Sequence, residues 1–254
     1  MSTPQVLLLV LSCRAHRDTR QRAVRETWFA AVPAHWRMLF VEGGADREAR
    51  IQDDRLLLGV PDDYNHLAEK TFRAVETLLP RIPFAGILKC DDDTYLHPCR
   101  FEKAFDKEIP YAGNTRDTLP GKVPYAQGGA YWLNRQACTS LVAQPFASHR
   151  EADWFLGRTP MRKRGERRKR PVTSIEDFMV GDILLRQGIG VRHDPRFSPD
   201  PFPSVFEDLS LFSCHHVNPT TMRRIHLQRL WRMHPIKRLL LPFFRYLPAS
   251  RKPG

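Results

Sequence analysis

Apolar residues arrive along this chain in short unbroken runs, separated by stretches with helical spacing. Val6 to Leu11 is almost continuously apolar, the pattern of a strand buried on both faces of a parallel sheet. After Ser12-Cys13-Arg14, the segment from Asp18 to Trp28 sets Ala23, Val24 and Trp28 among arginines, which predicts a basic helix with one packed face. Trp36 to Glu42 reads as a second strand and Leu56 to Gly59 as a short third. A helix then opens near Asp62, with Asn65 as its expected N-cap and Leu67, Phe72, Val75, Leu78 and Leu79 along one side, until Pro80 and Pro83 end it. Phe84 to Leu88 follows as a fourth strand.

The second half is less regular. Ile109 to Gly113 and Gly129 to Asn134 read as shorter strands around a loop rich in Pro and Gly, and Arg135 to Ala143 as a helix. Periodicity fades after Pro145 and returns at Ser174, the expected cap of a helix that buries Phe178, Ile183 and Leu184 and carries Glu176 and Asp177 in its first turn. Gly190 to His193 is a last short strand. Strands alternating with helices of these lengths predict an α/β fold with a largely parallel sheet.

Against that frame one stretch stands out. The fourth strand runs into Lys89-Cys90-Asp91-Asp92-Asp93, three adjacent carboxylates at the strand end where open α/β sheets form their ligand crevice. Like charges so close are tolerated in full solvent or around a compensating cation. A hard divalent ion would supply that cation, and alternation along an extended segment would turn Asp91 and Asp93 the same way. The plainer alternative is an acidic turn that caps the next helix.

Composition bounds the answer further. The 254 residues suit one large domain or two small ones. Five cysteines, Cys13, Cys90, Cys99, Cys138 and Cys214, are odd in number and lack zinc spacing, so they are expected as mostly reduced thiols of an intracellular protein. The run Val6 to Leu11 is too short for a membrane span and lacks signal-peptide features, and the expected location is cytoplasmic. A net charge of +12 calls for nucleic acid, an anionic membrane surface or anionic small substrates as partners. The basic residues are not interleaved with aromatics on a recognisable nucleic-acid module, so no specific nucleic acid is expected.

Six blocks, in order between Val6 and Met222, carry a resemblance to a known family. Arg22-Ala-Val-Arg-Glu-Thr-Trp28 resembles the R-x-A-I-R-x-T-W block of glycosyltransferase family 31, the β1,3-galactosyl and N-acetylglucosaminyl transferases that include the Fringe proteins. Asp63 to Thr71 is similar to their D-x-Y-x-N-L-T-x-K-T, one residue shorter before the Asn. Lys89 to Asp93 resembles K-x-D-D-D, Pro124 to Leu133 resembles P-Y-x-x-G-x-x-Y-V-L, and Glu176 to Gly181 resembles E-D-V-x-x-G. His215, Pro219 and Met222 fit H-x-x-x-P-x-x-M.

The resemblance implies a GT-A type fold, a Rossmann-like, mostly parallel sheet flanked by helices in a single catalytic domain, and inverting transfer of a hexose from a UDP-sugar to a glycan hydroxyl. It makes Asp93 and His215 the expected ligands of Mn²⁺ or Mg²⁺, an imidazole favouring Mn²⁺. Asp91 and Asp92 are expected to orient the ribose, the donor sugar and metal-bound water. Asp177 is the expected base for the acceptor hydroxyl, with Glu176 as fallback. Arg25 and Lys70 are expected either as cations on the diphosphate side or as surface ion-pair partners. Gly128 and Gly129 either admit the sugar close to the backbone or only form a turn. The membrane anchor, stem and cysteine framework usual in the animal members are not expected here, which leaves the acceptor open.

Two basic stretches lie outside these blocks. A tract near 158–173, densest from Arg162 to Arg170, reads as a solvated loop. The catalytic domain is expected over 1–221, followed by a basic amphipathic tail over 222–254. That tail has seven Lys or Arg and no acid between Met222 and Leu247, with Pro235 and Pro242 breaking it into short pieces. It predicts either a helix packed on the domain or peripheral binding to an anionic membrane, where a lipid-linked glycan would be the acceptor. A GT-A-like protein that only binds glycans, and a basic nucleic-acid-binding protein, are the competing functional classes.

Overall fold

A computed structural model describes residues 6–45, 48–115, 123–150, 175–201 and 210–233. In chain order it places β1 (Val6–Leu11), α1 (Arg22–Glu26), β2 (Arg37–Glu42), β3 (Arg50–Gln52), β4 (Arg55–Leu57), α2 (Leu67–Leu78), β5 (Gly86–Asp91), β6 (Tyr95–Leu96) and α3 (Pro98–Ala104). There follow β7 (Tyr111–Thr115), β8 (Ala126–Asn134), α4 (Arg135–Leu141), α5 (Phe146–Arg150), α6 (Glu176–Arg186), β9 (Arg192–His193), β10 (Phe197–Ser198), β11 (Ser213–Cys214) and α7 (Pro219–Met233).

The main sheet has the order β3-β4-β2-β1-β5-β8-β7-β9. Only β3 and β8 run against the other strands. The central strand β1 pairs in parallel with both neighbours, and Leu11 stands level with Val41 on one side and Asp91 on the other. Three strands therefore end together, and the loops after them share one edge.

Side-chain alternation divides the core in two. Leu7, Leu9, Leu11 and Ile87 pack with residues of α2, α4 and α6, whereas Val6, Leu8, Val10, Leu88 and Cys90 pack with α1, α3, α7 and the small sheet β10-β11-β6. This arithmetic puts Lys89 on the first face, inside the layer under α6, where a cation needs a partner.

Several boundaries depart from the sequence reading. The chain is helical from Arg14, earlier than Asp18, and changes winding through a short 3-10 turn, a π-helical stretch and α1 before a 3-10 turn at Trp28–Ala31. Asp63, not Asn65, caps the segment leading into α2, accepting from the amides of Asn65 and His66 at 2.8 and 3.2 Å. Asp63 accepts there because its own backbone is extended (φ −125°), the geometry an N-cap needs. The residue before α6 is Ile175, which offers no side-chain cap, and Ser174 lies outside the described residues. The third strand is one arm of a hairpin, β3 and β4, and β5 continues to Asp91 because Lys89 and Cys90 both belong to the buried ladder.

The five cysteines are all free thiols. No helix among the described residues is long and apolar enough to cross a membrane. Helix α7 crosses the boundary expected at 221/222, burying Met222 and Ile225 in the second core layer and leaving Leu227 and Leu230 57% and 50% exposed. The Arg-rich tract and the tail from His234 onward lie outside the described residues.

Candidate functional site

The three carboxylates sit on the shared edge, and alternation separates them. Asp91 and Asp93 both face His215, whose Nε2 lies 3.5 Å from Asp91 Oδ2 and 3.0 Å from Asp93 Oδ1. Asp92 turns instead toward the chain after β1. Its Oδ2 accepts from Ser12 Oγ at 2.7 Å and lies 2.7 Å from His16 Nδ1, and its Oδ1 accepts from Arg20 Nη1 at 3.0 Å. Asp92 is buried with both oxygens engaged, which ties β5 to the segment after β1.

His215 arrives from the far end of the chain because β11 pairs with β6, directly after the carboxylates. Val217 N donates to the carbonyl of Asp93 at 2.8 Å and closes the arrangement. The next residue, His216, has φ +57°, a left-handed conformation unusual for a side chain of that size, and its ring stacks on His215 with centroids 3.9 Å apart. Asp93, His215 and His216 present ligand atoms that all lie within 4.8 Å of one another. Two imidazoles and a carboxylate suit a first-row divalent ion such as Mn²⁺ better than they suit Mg²⁺. Burial pushes the Asp93 carboxyl up, but the His215 hydrogen bond and the nearby Arg20 outweigh it and hold the group below its ordinary value, in the ligating form.

The neighbouring strand supplies the second half of the site. On β8, Gly128 N donates to Asp177 Oδ2 at 3.0 Å, and the adjoining Gly129 lies under the His215 ring. Phe178 N donates to the other oxygen of Asp177 at 2.9 Å. Burial, with the charge of Glu176 beside it, pushes the Asp177 carboxyl up to about 6. Gly181, one turn along α6, faces Tyr125, where an added Cβ would come within 2.4 Å of the tyrosine's Cβ. The two blocks that hold Tyr125 and Gly181 in the sequence thus meet as one packing surface.

Glu176 does not share the exposure of a base. It is buried, accepting from the Tyr131 hydroxyl and from Lys89 Nζ at 3.1 Å. Lys89 also bonds Asp91 Oδ1 at 2.8 Å and the carbonyl of Gly128 at 2.5 Å. Burial alone would lower the lysine's pKa, yet Asp91 and Glu176 outweigh it and hold the ammonium firmly charged. Lys89 thus ties the carboxylate loop, β8 and α6 together, a role its place in the Lys-Cys-Asp-Asp-Asp run did not reveal. The period-2 alternation of β5 was the available signal.

Of the two expected diphosphate-side cations, Lys70 lies at the shared edge, bonded to the Ser12 carbonyl at 2.8 Å and to Asp62 at 2.7 Å. Arg25 does not join the carboxylates. Its guanidinium makes a two-point contact with Asp54 at 2.8 and 3.0 Å and lies over the Phe40 ring, because α1 turns that face toward β2 and the β3–β4 hairpin. It is an ion-pair partner. Ser12, His16 and Arg20 are site residues that no motif singled out, since each is recruited across the fold.

Residues 19–195 match the family described as Galactosyltransferase. No curated protein matches the chain in sequence. Among solved structures, the fold resembles a glycosyltransferase involved in glycosylation of the major capsid of PBCV-1, at 13% identity and a TM-score of 0.52, covering 87% of this chain and 99% of that one. The galactosyltransferase LgtC in complex with donor and acceptor sugar analogs is similar at 10% identity, with a TM-score of 0.49 over 90% of this chain and 99% of that one. The apo-form glycosyltransferase GlyE of Streptococcus pneumoniae TIGR4 is similar at 10% identity and a TM-score of 0.43, over 78% of this chain. This chain spans 46% of the length of that GlyE chain. At such identities the likeness is one of fold, and the fold is of the GT-A type.

Proposed function

Because this chain belongs to the galactosyltransferase family, we propose that it moves a hexose of the galactose or N-acetylglucosamine type from a UDP-sugar to a glycan hydroxyl, with inversion and a β1,3 linkage. The single observation that carries the reading is the pair of consecutive glycines on β8, one bonded to Asp177 and the next lying under His215. The proposed proton acceptor and the proposed cation ligand thereby contact adjacent residues of one strand.

In this reading Asp177 takes the proton from the acceptor hydroxyl, whose oxygen bonds to the anomeric carbon as the bond to UDP breaks. Its pKa near 6 suits that task, since it is ionised at neutral pH yet more basic than an ordinary carboxylate. The amides of Gly128 and Phe178 hold its oxygens in place. Asp93 and His215, with His216, would hold Mn²⁺, or less well Mg²⁺. That ion supplies neutralisation of the charge that gathers on the departing diphosphate. Asp91 orients the donor sugar while Lys89 keeps its carboxylate fixed. Lys70 keeps the chain after β1 shaped for the nucleotide through Ser12 and Asp62.

The acceptor is proposed to be a lipid-linked or membrane-proximal glycan, a reading supported by the exposed side of α7, with Leu227, Leu230 and Arg224, which suits an anionic membrane surface.

A screen of UDP-sugars for hydrolysis, with and without Mn²⁺, tests the reading without knowledge of the acceptor. Metal-dependent UDP release from a galactose-type or N-acetylglucosamine-type donor is expected. Failure of every UDP-sugar to be turned over, together with no UDP binding in Mn²⁺, would overturn it.

A further inference from the structure

Two permanently charged side chains touch the three carboxylates among the described residues, and they differ in one respect. Lys89 is buried and spends its ammonium on Asp91, Glu176 and the Gly128 carbonyl. Arg20 is 38% exposed at its side chain and makes both of its contacts through one nitrogen, Nη1, at 3.0 Å to Asp92 Oδ1 and 3.5 Å to Asp93 Oδ2. Its Nε and Nη2 have no hydrogen-bond partner among the described residues. A guanidinium is a planar fork with five donors, shaped for two-point contact with carboxylate or phosphate oxygens, and here most of that fork is unspent.

The position matters as much as the valence. Asp92 is held by Ser12 and His16 independently of Arg20, so the arginine is not needed to keep that carboxylate in place. Its second contact, to Asp93, is long and reaches a group that also faces His215 and His216. Arg20 and a cation at Asp93 would therefore share one carboxylate and repel each other across it.

We propose that Arg20 is a positioning residue that exchanges partners: it neutralises Asp93 in the free protein and, with a divalent cation at Asp93, turns its fork to the diphosphate of the nucleotide. Anchored on Asp92, the guanidinium stays beside the cation site throughout. The exchange makes Arg20 oppose the cation when it binds alone and favour it when the nucleotide's phosphates are present. This inference rests on the Mn²⁺ and UDP-sugar reading above and adds to it a residue and a direction of effect.

Calorimetry on the full chain with Mn²⁺ alone, and with UDP in saturating Mn²⁺, distinguishes this from a structural role. In Arg20→Gln, Mn²⁺ alone is expected to bind several-fold more tightly, because a like charge has gone. UDP in saturating Mn²⁺ is expected to bind about tenfold or more weakly, the usual worth of charge-assisted hydrogen bonds. Arg20→Lys, which keeps the charge and loses the fork, is expected to restore the Mn²⁺ affinity to the wild-type value and the UDP affinity only in part. Unchanged affinities in Arg20→Gln would make the arginine a surface ion pair, and loss of both together would make it a prop for the carboxylates. Either result overturns the exchange while wild-type binding leaves the parent reading standing. A wild-type chain that binds neither Mn²⁺ nor UDP overturns both.

Discussion

The ring of His215 lies against the backbone of Gly129 so closely that a Cβ at that glycine would come within 2.6 Å of the imidazole Cγ. The glycine is thus required by a side chain of the protein itself, not only by an approaching sugar. Gly129→Ala is expected to push His215 off the line it shares with Asp93, weakening Mn²⁺ binding by about tenfold or more while the far-ultraviolet spectrum stays that of the wild type. Asp93→Ala and His215→Ala set the scale, each abolishing measurable Mn²⁺ binding in calorimetry with UDP present. Wild-type Mn²⁺ affinity in Gly129→Ala would separate the ring's position from ligation, and unchanged affinity in all three would remove the cation from this site.

Asp177 links activity and stability through one proton. Its folded pKa of about 6 lies above the ordinary 3.8, so the fold favours the protonated form. That contribution is fully present below about pH 4 and is lost as pH rises through about 6, at a cost on the order of 1 to 3 kcal/mol. Asp177→Asn keeps an acceptor for the Gly128 amide and carries no charge. It is expected to melt higher than the wild type at pH 7.5 and at the same temperature near pH 4. Transfer is expected to fall by about 10² to 10⁴ with UDP binding intact, and wild-type turnover to rise through an acid limb near pH 6. Loss of UDP binding in this variant would make the acid a structural group.

Lys89 is expected to be the most expensive single cation to remove. Lys89→Met leaves Asp91 and Glu176 facing each other without compensation in a buried layer, a loss of about 3 to 5 kcal/mol in denaturant unfolding. Adding Glu176→Gln to the same chain removes one of the two stranded charges and is expected to recover part of the loss. A double variant no more stable than the single one would mean that the lysine acts through packing alone.

The exposed side of α7 gives a test of the membrane proposal. Wild-type protein is expected to co-sediment with anionic vesicles in a salt-sensitive manner, and Leu227→Ser/Leu230→Ser to do so less, with unchanged melting because neither side chain is buried. Equal sedimentation of the two proteins would remove this face from any such contact.

Local pattern was enough for the central strands of the main sheet and for the identity of the acids, and it missed the short strands β3, β6, β10 and β11. Val6 to Leu11 read as a doubly buried strand, and the three carboxylates after an apolar run as standing at a strand end, because alternation and hydrophobic burial act over a few residues. The same local logic turned Asp91 and Asp93 one way. What lay beyond it was every partner drawn from a distance. That Asp92 is spent on Ser12, His16 and Arg20, and that Arg25 answers Asp54 instead of the carboxylates, depends on how a helix of mixed winding docks on the sheet. That Lys89 reaches Glu176 across 87 positions of sequence depends on α6 entering over β8. Electrostatic and packing energies fall off over a few ångströms in space and are indifferent to separation along the chain. The sequence therefore determined which groups carry charge and which strands carry them, and only the tertiary structure decided which charge meets which.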